Sequence, residues 1–148
     1  MTRKLLTLVA LVASCFCLTS CGGHVLVHDP NAAAATAEAF ARSAFVSKDM
    51  GAAYAMMTPR VREGIPQQTF SDAIGKMHPN GFADEVSAVE YEPIPGQAGM
   101  NIYLIGRNSS ETFYYRMSMA GDKLTGYQVS SAGREKGAFP PSKRRRPL

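Results

Sequence analysis

The residues able to do chemistry are few, and their spacing limits what they can do. Three cysteines stand at positions 15, 17 and 21, the last directly after the small pair Thr19-Ser20. Three histidines stand at 24, 28 and 78. His24 and His28 are four apart, so on a helix they could grip a metal ion together. They lie instead in a stretch that reads as a tether, where two ligands make a poor site, so no metal is expected there. Asp49 and Asp72 have local explanations, as a helix cap and as an early-helix charge that suits the dipole. Asp84 and Asp122 fall in turn-rich stretches. His78 precedes Pro79 at a helix end, where a cation suits the C-terminal carbonyls. General acid–base work needs a group within hydrogen-bonding reach of its proton and a pKa tuned by burial or charge. No histidine and carboxylate stand at a spacing that local geometry would bring together. No catalytic residue and no cofactor are therefore assigned.

Glu90 and Glu92 are the exceptions to this local accounting. They share one face of a strand with Val86 and Ala88, while Val89 and Tyr91 occupy the other. The Tyr91 face is expected to point inward, leaving both glutamates in water. A shift of one residue would reverse this and bring both carboxylates inside.

The start of the chain has the grammar of an export signal. Arg3 and Lys4 precede an apolar run over residues 5–18, and small residues follow. The run is short for a membrane span of about 20 residues. Leu18-Thr19-Ser20-Cys21 resembles the lipobox of bacterial lipoproteins. That resemblance implies removal of residues 1–20, acylation of Cys21 with palmitate-type chains, and a membrane-lipid partner for the mature domain. It also implies a place in the bacterial cell envelope. Gly22, where an Asp would favour inner-membrane retention, resembles an outer-membrane lipoprotein facing the periplasm in a two-membrane bacterium. Cys15 and Cys17 leave with the signal, so the mature chain is expected to have no disulfide and to depend on its core.

The formal charge of +4 is concentrated at the two ends. Without Arg3, Lys4 and the run Lys143-Arg144-Arg145-Arg146, the body is slightly acidic, which argues against a nucleic-acid partner. Residues 134–148, with Pro140, Pro141 and Pro147, read as a basic, disordered tail. A basic run at a chain end can contact acidic lipid or polymer, but a solvated tail is the preferred reading.

Between these ends, residues 21–29 read as a flexible tether and residues 30–133 as one domain. Asp29-Pro30-Asn31 is a helix start. Ala37, Phe40, Ala41, Ala44 and Phe45 follow with helical spacing. A break at Lys48-Asp49 leads to a short second helix whose buried side holds Tyr54, Met57 and Val61, with Pro59 limiting its run. Pro66 opens a third, in which Phe70, Ala73, Ile74 and Met77 form the apolar stripe. The second half alternates. Residues 86–91, 100–105, 112–119 and 124–131 are strands, joined by turn-like connections that favour antiparallel pairing. The fold class expected is α+β, with N-terminal helices packed on a curved antiparallel sheet of about four strands.

This order resembles the NTF2-like (cystatin-like cone) superfamily. The nearest echoes are Phe45-Val46-Ser47-Lys48-Asp49-Met50-Gly51-Ala52-Ala53-Tyr54, then Thr58-Pro59-Arg60-Val61-Arg62-Glu63, and Leu124-Thr125-Gly126-Tyr127-Gln128-Val129-Ser130. They report packing and turns, and fold alone does not choose a function. Two functions follow as expectations. The first is a non-catalytic envelope lipoprotein binding a protein partner, or a small apolar ligand in the cone. The alternative is a small enzyme of isomerase or dehydratase type.

Overall fold

In a computed structural model of the chain, the residues described are 29–122, 126–135 and 142–148. The signal, Cys21, and His24 and His28 of the tether lie outside them. Helix α1 (Pro30–Ala41) starts where the sequence places it. The Asp29 carboxylate accepts the Asn31 and Ala32 amides at 3.1 Å each, and Pro30 fills the first turn. A π-helical turn over Arg42–Val46 continues it and carries Ala44 and Phe45 into the core. Lys48, at φ 60°, turns the chain, and Asp49 caps α2 (Met50–Ala55) through the Ala52 amide. Thr58 caps α3 (Pro59–Gly64), and α4 (Gln67–Met77) buries Phe70 and Ile74.

The second helix expected from sequence is thus two. The break at residues 56–58 has a tertiary cause. The Val129 amide donates to the Met56 carbonyl, and the Thr58 amide donates to the Val129 carbonyl, so this stretch bridges to a strand. Tyr54 packs against the core edge while its hydroxyl donates to the Ile65 carbonyl at 2.7 Å, closing α3 against α2.

Strands β1 (Glu85–Pro93), β2 (Gly99–Arg107), β3 (Thr112–Asp122) and β4 (Gly126–Arg134) form an antiparallel meander. The short β5 (Arg146–Pro147) adds to the β1 edge, giving the order β4-β3-β2-β1-β5 in a curved, unclosed sheet. The architecture is α+β, as expected, and compatible with an NTF2-like fold. Helix α1 lies across the concave face and touches β1 to β4. Met100, Ile102 and Leu104 of β2 meet Phe113, Tyr115, Met117 and Met119 of β3 on that face, all buried. Among the described residues no helix is long and apolar enough to cross a membrane.

Two departures from the sequence reading shape the outer face. A bulge at Val89 resets the alternation of β1, because Ala88 pairs with Leu104 and Glu90 with Tyr103. Val86, Ala88 and Tyr91 therefore all pack toward the core, and Glu90 and Glu92 point outward. The Glu38 carboxylate of α1 accepts the Ala88 amide at 2.8 Å beside the bulge. The second departure is the tail. Residues 142–148 are docked on β1 instead of solvated: Tyr91 pairs with Arg146, Glu90 with Pro147, and the Leu148 amide donates to Val89.

Candidate functional site

Among the described residues, two buried polar clusters centre on a tyrosine, one on each side of the sheet. On the concave side, His78 caps the end of α4 and is only 4% exposed. Its Nδ1 lies 2.9 Å from the Ile74 carbonyl, which can only accept, so Nδ1 carries the proton. Nε2 is then free to accept from the Tyr115 hydroxyl, also at 2.9 Å. A neutral imidazole satisfies both contacts. Burial holds His78 below the usual histidine range; the Ile74 contact opposes this, while Arg134 adds to it. Burial likewise pushes the Tyr115 phenol well above its usual range. The expectation of a cationic His78 at a helix end is corrected on this ground: the site is too dry for the charge.

The ring of His78 is enclosed by aromatics. Phe82 stacks on it at 4.6 Å between centroids, Phe45 sits at 5.0 Å and Phe113 at 5.6 Å. Phe45 in turn stacks on Tyr115 at 4.4 Å. These rings and the Tyr115 hydroxyl together surround His78. Arg134, nearby, is committed to structure. It donates to the Met77 carbonyl and the Glu111 carboxylate and lies over the Phe113 ring.

On the convex side, Tyr103 is the centre of the second cluster. It is 2% exposed although it belongs to the outward register of β2. Its hydroxyl donates to Glu92 at 2.8 Å. The guanidinium of Arg145 lies over its ring at 3.6 Å and reaches Glu90 at 3.7 Å, leaving the arginine side chain 8% exposed. Glu92 also accepts from the Ser142 hydroxyl at 2.6 Å and pairs with Arg144 at 3.5 Å. The Ser142 hydroxyl does most to hold Glu92 below the usual carboxylate range, helped by Tyr103 and Arg144 against burial. Glu92 and a tyrosine therefore do meet, but on the outer face and beneath the tail. The carboxylate is a fixed anion, the opposite of the raised acid that general acid catalysis needs.

The remaining residues considered from sequence are dispersed. Asp49 is a cap, Asp72 accepts from Gln68 one turn away, and Asp122 ends β3. Asp84 borders a shallow groove of about 330 Å³ near Arg42 and Ser87. A larger open groove, about 470 Å³, runs beside Lys76, Pro79, Thr112, Tyr114 and Arg134. Among the described residues no three His, Cys, Asp or Glu side chains group to hold a metal. The Tyr103 cluster was missed from sequence because its members come from three separated segments. The cue was available: a Glu-x-Glu strand and an Arg run of opposite sign. No family model, curated protein or solved structure matches the chain.

Proposed function

We propose that this chain is a lipid-anchored domain of the bacterial cell envelope that works by surface contact and has no catalytic role. The anchor is Cys21, acylated after removal of residues 1–20, and the lipobox-like Leu18-Thr19-Ser20-Cys21 supports it. The observation that carries the non-catalytic reading is the internal engagement of the buried His78–Tyr115 pair. The buried His78–Tyr115 pair packs among Phe45, Phe82 and Phe113, and both ring nitrogens of His78 already have partners inside the chain. An isomerase- or dehydratase-type enzyme would need that pair, or a tuned carboxylate, to face a cavity. The same packing favours a macromolecular or membrane partner over a small apolar ligand in the cone.

The test is made in cells. Full-length protein and Cys21→Ser are expressed in parallel, fractionated, and their N-terminal peptides weighed. The wild type is expected in the membrane fraction, starting at an acylated Cys21. The variant should lose the lipid mass and most of its membrane retention, because each buried methylene adds about 0.8 kcal/mol to anchoring. A Cys21→Ser chain as membrane-bound as wild type would sink the proposal.

A further inference from the structure

The basic run at residues 143–146 is divided by the fold. Arg145 turns inward, over Tyr103 and against Glu90, and is 8% exposed. Lys143, Arg144 and Arg146 turn outward and are exposed. Three further contacts hold the segment. Ser142 is tied to Glu92, and the Arg146 guanidinium donates to the carbonyls of Lys143 and Arg145 at 2.7 and 3.0 Å. The run is thus an ordered ridge along one edge of the sheet, held by the inward-turned Arg145 together with the Ser142–Glu92 contact and the β5 pairing. Glu90 and Glu92 match only two of its four charges. Next to it Leu148 is one of the two large exposed apolar side chains among the described residues.

We infer that this ridge is a second membrane contact, which seats the domain on anionic lipid headgroups. The inference rests on the lipid-anchor reading, because the anchor is what brings the ridge to a bilayer. Charge decides the partner: two outward cations unmatched by the glutamates, Lys143 and Arg146, with the exposed Arg144 and an apolar residue beside them, fit a surface of phosphate headgroups over acyl chains. Reach permits it. The tether enters the fold at Asp29, whose amide donates to Tyr127 of β4, at the sheet edge opposite β5. Four strand spacings separate those edges, roughly 19 Å. The eight residues 21–28 can extend to at most ~28 Å, so anchor and ridge can lie on one plane. Acyl chains combined with a polybasic patch give firmer attachment than either alone.

The test uses the purified, lipidated full-length chain in two kinds of vesicle, phosphatidylcholine alone and phosphatidylcholine with phosphatidylglycerol. Limited trypsin digestion compares cleavage in residues 143–146 with cleavage at exposed Arg60 and Arg62, an internal reference. Headgroup attraction corresponds to about fivefold per cation, so with two unmatched cations relative cleavage of the ridge should fall roughly 25-fold on anionic vesicles and recover in high salt. In K143Q/R146Q, which keeps Arg145 over Tyr103 and Arg144 beside Glu92, cleavage at the exposed Arg144 should be the same on both vesicles. Equal ridge cleavage of the wild type on both vesicles overturns the inference. So does persistent protection in the double variant, or protection by a soluble polyanion but not by anionic vesicles. Co-sedimentation with the neutral vesicles reports the anchor separately, so the failure of either idea is recognised on its own.

Discussion

At the scale of single residues, the most consequential placement is His78. Its two nitrogens are both engaged while the ring is neutral, and protonation would put a charge in a dry pocket and take away the acceptor of the Tyr115 hydroxyl. Its folded pKa lies below 6.5, so the unfolded chain binds this proton more readily than the folded one. Stability from this group is therefore complete above the unfolded value. It declines as pH falls through 6.5 toward the folded value, and below that it is fully lost. Thermal melts of the full-length chain from about pH 7 down to about pH 5 should show a falling midpoint. His78→Gln, whose amide can still accept from Tyr115, should lower stability near neutrality but flatten that slope. A variant with an unchanged slope would place the titration elsewhere. Sequence placed His78 at a helix end but could not supply its partner, because Tyr115 is 37 residues away on another element.

Among the elements, helices with an apolar stripe and strands with strict alternation were legible. Phe40, Phe45, Phe70 and Ile74 face the sheet, and Phe113, Tyr115, Met117 and Met119 answer them, as their periods require. What was not legible depended on contacts between distant segments. Val129 splits the second helix, and the Val89 bulge lets Val86 and Tyr91 share a face that alternation would deny them. The tail misled for a related reason. A run of like charges repels itself in isolation, and only a partner of opposite sign placed by the fold reverses that. Glu90, Glu92 and Tyr103 are that partner, and the tail they hold covers part of the otherwise open edge of β1. Arg145→Ala should consequently cost about 1–2 kcal/mol, the range for a largely desolvated cation over an aromatic ring. Arg144→Ala, whose side chain is 65% exposed, should cost no more than about 1 kcal/mol and progressively less in salt. Denaturant titration of both variants measures the pair. Two equal, negligible losses would mean the strap contributes nothing to folding.

For the whole molecule, the helical layer and the sheet share one core, and Phe45 sits at their junction. It is fully buried, at the π-helical turn between α1 and α2. It packs edge-on to Phe40 at 6.0 Å, stacks on Tyr115 of β3, and borders His78 of α4. Removing its ring opens a void that touches both layers, and the surrounding aromatics are themselves fixed by neighbours, so the site can collapse only in part. Phe45→Ala should cost about 3–5 kcal/mol. In a domain of this size that lowers the melting midpoint by roughly 10–20 °C. Because one core joins the layers, helix and sheet should be lost together. Far-ultraviolet dichroism follows the backbone and near-ultraviolet dichroism follows the tyrosines. The two should give the same midpoint in wild type and in Phe45→Ala. If the curves separate in the variant, with helical signal lost before the tyrosine signal, the helices and sheet unfold as independent units. The concave face is then only a docking surface for the helices. A shift well under the expected range would instead mean that Phe40 and Tyr115 close over the gap.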